Sequence, residues 1–188
     1  AALVRIYRAT EEWQKLIPLL ERLVAVGVPP AGDETIADLQ LELGRLLQQH
    51  GARPERAIGV LEAVLERDPA NPAARTGLGA AYGEQARLAR AARDWPALVR
   101  AYEGELPLVS EPTRRLELLV ALAEVQEGEL HEPERARDAY TRALAIDGQD
   151  ERALAGAARL HEQAGRWKPA AELHEKLVAQ AGDADAAI

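Results

Sequence analysis

Apolar residues recur along this chain at spacings of three and four, the period that puts them on one face of an α-helix. Leu43, Leu46 and Leu47 form one such stripe, and Ala57, Leu61 and Val64 form another. The pattern predicts helices over 1–9, 13–25, 34–50, 54–67, 72–92, 95–108, 113–130, 133–146, 150–163 and 167–180, with a stub beginning near 184. No stretch alternates apolar and polar residues long enough to make a strand. Breakers separate the helices: Gly27-Val28-Pro29-Pro30, Asp68 to Pro72, Ser110-Glu111-Pro112 and Asp147-Gly148. Asp33, Asn71, Ser110 and Asp150 are the expected N-caps or near-caps, and Pro54 and Pro133 suit a first helical turn, where a missing N–H costs nothing. The ten helices fall into five antiparallel pairs.

The chain also repeats itself. "PERAIGVLEAVLERD" starts at Pro54, and "PERARDAYTRALAID" starts 79 residues later at Pro133. The match extends without a gap from 42–82 onto 121–161, pairing Leu43 with Leu122, Leu46 with Val125, Ala57 with Ala136, Leu61 with Tyr140 and Leu65 with Leu144. Segments carrying Trp13, Trp95 and Trp167 alternate with this family, and the first and last of them align from Ala1/Ala155 through Val24/Val178. The expected organisation is one array with repeats near 1–32, 33–70, 71–110, 111–149 and 150–183, and the start of another at 184–188. The whole reads as a segment of a longer chain.

Composition narrows the class. Hydrophobic residues are 47% and charged residues 29% of the chain, so it can bury a core. Ala, Leu, Glu and Arg, all strong helix formers, dominate. The net charge of −8, with acids and bases interspersed, argues against non-specific nucleic-acid binding, which needs clustered Lys and Arg. No apolar run is long enough to span a membrane. With no Cys, disulfides and thiolate metal sites are excluded. The compartment stays open, with the cytoplasm slightly favoured.

The pairs resemble tetratricopeptide repeats, whose hairpin pattern is W-x2-L-G-x2-Y, then A-x3-F, then Pro. Leu43-Gly44, Leu47, Gly51, Ala57, Leu61, Val64 and Pro69 fit it, with one extra residue before Pro54. Leu78-Gly79 and Tyr82, then Ala136, Tyr140, Ala143 and Gly148, then Gly165, Trp167, Ala170 and Leu177 fit parts of it. Small Gly44, Gly79, Ala123 and Ala158 are expected to let helices approach, and Tyr7, Leu47, Tyr82 and Tyr140 to fill space between pairs. The resemblance implies an all-α, right-handed superhelical solenoid of about five antiparallel helix pairs, each covering its neighbour's apolar face. A seven-residue excess between Tyr82 and Trp95 predicts a bulge near 84–94, and the loop from Gly27 to Asp33 is longer than usual.

Little in the sequence points to catalysis. There is no phosphate-binding loop, nucleophile elbow or dinucleotide fingerprint. "GLGAAYG" at Gly77 matches the repeat's packing glycine better than a phosphate cradle. His161 and His174 occupy large inter-helix positions. They could be two metal ligands, but with no third ligand in view, packing is the stronger reading. His50 and His131 read as solvated turn residues. Glu124 and Glu127 share a helix face, which on an acidic chain more often means hydration than acid–base work. The three Trp residues are expected to pack back on the preceding helix rather than to stack a ligand.

In the family it resembles, the first helix of each pair lines a concave groove that holds an extended peptide or a partner helix. Carried over by phase, the groove residues are Arg5 and Arg8, then Arg45, Gln48 and Gln49, then Thr76 and Glu84, then Glu124 and Glu127, then Arg159, Glu162 and Gln163. That surface is expected to be basic at its N-terminal end and acidic in the middle. A clamp for a C-terminal carboxylate is absent in the family's form. It needs Asn and Lys on first helices, whereas the one Asn is Asn71, in a turn, and Lys15, Lys168 and Lys176 stand on second helices. The function expected is a protein-interaction scaffold without catalysis or cofactor, taking a protein or peptide partner and self-associating through its ends. The alternatives are a structural spacer or regulatory arm of a larger enzyme or assembly protein, and a metal-dependent enzyme through His161 and His174.

Overall fold

The computed structural model describes residues 2–28, 34–50 and 53–186, with side chains to Gln180. The expected cap Asp33, the prolines at 29 and 30, and Gly51 lie outside the described residues. Among the described residues ten α-helices follow one another: α1 (Ala2–Ala9), α2 (Trp13–Val26), α3 (Ile36–His50), α4 (Pro54–Arg67), α5 (Pro72–Ala92), α6 (Trp95–Glu105), α7 (Pro112–Gly128), α8 (Pro133–Leu144), α9 (Glu151–Gln163) and α10 (Trp167–Ala186). A 3-10 turn at Leu106–Leu108 is the only other regular element among the described residues. The protein is all-α, and no described helix is long and apolar enough to cross a membrane.

Two compact units divide the chain, Ala1–Leu88 and Ala89–Ile188, with the boundary inside α5. In the first unit α1 packs on α2, α2 on α3, and α3 on α4. Leu16, Leu20, Leu39, Leu43, Leu46, Leu47 and Leu61 lie fully buried between these helices. Complete burial of one such leucine stabilises by roughly 1.5–3 kcal/mol. Gly27 ends α2 with φ 71°, and its N–H donates to the carbonyls of Leu23 and Val24. That left-handed turn is the reason for a glycine here. Pro18 sits inside α2 on the exposed face, so the helix continues past a position with no N–H to donate.

In the second unit α6 packs on α7, α7 on α8, α8 on α9 and α9 on α10. α7 also touches α9, so first helices of successive hairpins lie side by side. Leu98, Leu118, Leu119, Leu122, Tyr140 and Leu154 anchor this core.

Five local expectations need correcting. The excess before Trp95 forms no bulge; it lengthens α5 into one continuous 21-residue helix that stops at Arg93, where φ is 55°. α6 ends at Glu105 and passes into the 3-10 turn, because Pro107 supplies no N–H. α7 is capped by Glu111 rather than Ser110: the Glu111 carboxylate accepts from the N–H groups of Thr113 and Arg114. Asn71 and Asp150 do cap, accepting from Ala74 at 3.0 Å and Ala153 at 2.8 Å. α10 runs on to Ala186 instead of stopping at 180. Gly79 is not a close-approach site, since a Cβ there would meet nothing within 4 Å.

Candidate partner-binding grooves

The repeat spacing of 79 residues reappears as geometry. In the first unit a groove of about 230 Å³ is lined by Gln48, Pro54, Ala80, Ala81 and Glu84, together with Leu47 and Arg53. In the second unit a groove of about 550 Å³ is lined by Glu127, Pro133, Arg159, Leu160 and Gln163, together with Glu124, Gly128 and His131. The first five residues of each set stand 79 positions apart, one for one. One concavity therefore recurs where consecutive first helices meet the start of a second helix.

The residues beneath it explain how it forms. Leu61 and Tyr140 hold equivalent places on α4 and α8, and both are buried. Leu61 presses toward α3: a Cβ on Gly44 would meet its Cδ2 at 2.6 Å. Leu61 also reaches α5, where a Cβ on Gly77 would meet its Cδ1 at 3.2 Å; Tyr140 presses more tightly on the equivalent glycine of α9, Gly156, which leaves room for its ring. Its hydroxyl donates to Glu127 at 3.1 Å on the groove floor. Burial first, and the Glu127 charge second, push the Tyr140 hydroxyl well above the usual tyrosine range. Gln48, the residue equivalent to Glu127, donates from Nε2 to the Gly77 carbonyl.

The charged residues are spent on each other. Arg159 of α9 grips Glu127 of α7 through two bonds, Nε at 2.6 Å and Nη2 at 2.7 Å. Arg152 grips Glu124 in the same way, Nη2 lying 2.7 Å from both carboxylate oxygens. Arg159 holds the Glu127 carboxyl below its ordinary range, and Arg159 and Arg152 are raised in turn by their carboxylates. In the first unit Arg8 of α1 donates to Glu42 of α3, Nε at 2.8 Å, and to Glu34 at 2.7 Å. This cluster borders a second groove of about 480 Å³ with Asp38, Arg45, Gln48 and Gly77. Arg8, Glu124, Glu127 and Arg159, which the sequence assigned to this surface, are thus paired from one hairpin to the next.

Of the sequence-derived groove residues, Arg8, Arg45, Gln48 and Glu84 border the first unit's grooves. Glu124, Glu127, Arg159 and Gln163 come together in the second unit. Arg5, Gln49 and Thr76 are exposed and border none of these three grooves. Glu162 bonds His174 Nε2 at 2.9 Å. Sequence reasoning missed Glu34, Glu42 and Arg152, the ion-pair partners, because helical phase places one residue at a time and not its neighbour on the next hairpin. It also missed Leu160 and Pro133, which give the second groove its apolar wall.

His161 is half-buried, its Nδ1 without a hydrogen-bond partner, and burial followed by Arg137 and Arg166 lowers its pKa. Among the described residues no three His, Asp or Glu side chains gather where they could hold a metal. Trp13 stacks on His50 with ring centroids 5.4 Å apart, so His50 has a packing partner. Trp167, expected to pack back on α9, is 69% exposed.

The family model for the tetratricopeptide repeat matches residues 1–34. No curated protein matches the chain. Among solved structures the chain is similar to a crystal structure of MamA, at 18% identity and a TM-score of 0.46, over 97% of this chain and 96% of that one. It is also similar to nearly identical TPR-like repeats from Podosopora anserina, at 23% identity and a TM-score of 0.44, over 95% and 91% of the two chains. The tetratricopeptide-repeat model thus covers the α1–α2 hairpin, and antiparallel helix pairs follow it in each unit.

Proposed function

We propose that the chain is a protein-interaction scaffold whose partner is an extended peptide or helix lying along the first helices of the hairpins. One observation carries this reading: a groove at one repeat register occurs in both units, lined by equivalent residues. Its chemistry differs between the two places. The first unit offers Gln48, Ala80 and Ala81, and the second offers Glu127, Arg159 and Leu160. A partner would read the second through its apolar wall and through donors and acceptors left on the paired charges. The role is non-enzymatic. Arg159 holds the Glu127 carboxyl below its ordinary range, which opposes the proton exchange that acid–base work requires.

A second reading has support of its own. The pairs Arg8–Glu42, Glu124–Arg152 and Glu127–Arg159 all fasten one first helix to the next. Charges used this way stiffen an array, as a spacer or regulatory arm would need. Selection of a displayed library of extended peptides against the chain separates the two. The scaffold reading expects an enriched sequence whose binding is lost on Arg159→Ala, at an exposed groove position. A library that yields nothing above an unrelated helical protein removes it and leaves the spacer.

A further inference from the structure

A further groove of the second unit lies apart from those where first helices meet. It opens between the N-terminal half of α7 and the C-terminal end of α8, holds about 460 Å³, and is lined by Ser110, Arg115, Leu119, Arg142 and Ile146. Glu124 of the 550 Å³ groove stands five residues after Leu119, which puts it about 140° round α7 from this one. The chemistry differs as well. Each of the three grooves above carries at least one carboxylate, whereas this one carries two arginines and no acid. The chain around it has a net charge of −8.

The acids nearby are engaged elsewhere. Glu111 accepts from the N–H groups of Thr113 and Arg114. Asp147 accepts from the N–H of Gln149 at 2.9 Å. Arg142 lies 3.8 Å from Asp138, beyond hydrogen-bonding reach, with its side chain 48% exposed. Arg115 is exposed, and among the described residues no carboxylate pairs with it. Ser110, relieved of capping by Glu111, brings an exposed hydroxyl to the rim. Behind these polar groups stands an apolar wall, Leu119 at 1% exposure and half-buried Ile146. The fold itself does not call for arginine here. Ile36 of α3 and Ala63 of α4 stand 79 positions before Arg115 and Arg142, so the same hairpin forms with uncharged residues at both places.

We propose that this groove is a separate docking site for an internal, acidic segment of a partner protein, one in which an aspartate or glutamate stands beside a leucine, isoleucine or valine. The carboxylate sits between Arg115 and Arg142, whose forked donors suit it, and the aliphatic side chain covers Leu119 and Ile146. Because the site shares no residue with the 550 Å³ groove, it stands or falls independently of binding there.

A library of random peptides tests this, displayed as amino-terminal fusions so that none ends in a free carboxylate. The full chain is the bait, and the chain carrying both Arg115→Glu and Arg142→Glu is the counter-selection. The expected clones bind the wild type alone and carry an acid within a few residues of an aliphatic side chain. Arg115→Ala and Arg142→Ala should each weaken their binding about tenfold. Raising the salt from about 50 mM to about 500 mM should weaken it too, and Arg159→Ala should leave it unchanged. Both arginines are exposed, and circular dichroism checks that the variants stay folded. The proposal is overturned if no clone separates the two baits, or if the separating clones lack an acid. Binding that survives the double substitution and is lost on Arg159→Ala would return the clones to the other groove and overturn it as well. Capture of phosphatidylserine vesicles by the wild type alone, with no peptide enriched, would give the arginines to a lipid surface instead.

Discussion

The ring of Tyr140 occupies the volume that a side chain on Gly156 would need: a Cβ there would meet Cε1 at 2.7 Å and Cε2 at 2.5 Å. Tyr140 is 1% exposed, so its ring cannot swing outward to make room. Gly156→Ala should therefore cost about 1–3 kcal/mol through overpacking. Adding Tyr140→Leu, the residue found at the equivalent position 61, should recover part of that loss in a double-mutant cycle. Gly79→Ala is the contrast. With open space at that position and a helical backbone, it should stabilise by roughly 0.5–1 kcal/mol. Urea melts of the four variants read all of this.

The capping assignments separate by mutation. Asp150→Ala and Asn71→Ala should each lose about 1 kcal/mol, since each removes an acceptor from an otherwise orphaned backbone N–H. Glu111→Ala should do the same for α7, and Ser110→Ala should leave the melting temperature unchanged. The reverse order for 110 and 111 would place the start of α7 one residue early.

The Glu127–Arg159 pair predicts a pH dependence. Arg159 lowers the folded-state pKa of Glu127 below the unfolded value of about 4.3. A depressed carboxylate pKa contributes stability that is present above the unfolded value and lost as pH falls through the folded one. The difference in melting temperature between wild type and Glu127→Gln should hold steady at neutral pH and shrink below about pH 4. A difference that grew on acidification would contradict the pairing.

The tryptophans should respond unequally. Trp167→Ala should change the stability of the isolated chain by no more than about 0.5 kcal/mol, as for a surface site. Trp13→Ala forfeits the stack on His50, worth about 0.5–1.5 kcal/mol beyond the area it buries. Thermal melts of the two variants read the difference.

Helix positions were largely legible in the sequence because each depends on local information: a three-four stripe, a proline at the first turn, a glycine or proline at the break. α4 and α5 occupy the residue ranges that pattern predicts. Repeat register was legible for the same reason, through Pro54/Pro133 and Leu61/Tyr140. What escaped was pairing. Nothing in the phase of α7 says that Glu127 meets Arg159, 32 residues on, because that contact depends on how two hairpins stack. The exposure of Trp167 escaped for a related reason. Its motif is that of Trp13, and only the neighbour across the face, α3 in one case and no described residue in the other, decides whether the ring is covered.

The most direct test of the scaffold account is a hydrogen-exchange footprint of the chain with and without a peptide selected against it. The account predicts slowed exchange on α7 and α9 around 124–128 and 156–163, with α8 and α10 unchanged. Protection confined to the second helices, or no change anywhere at saturating peptide, would contradict it.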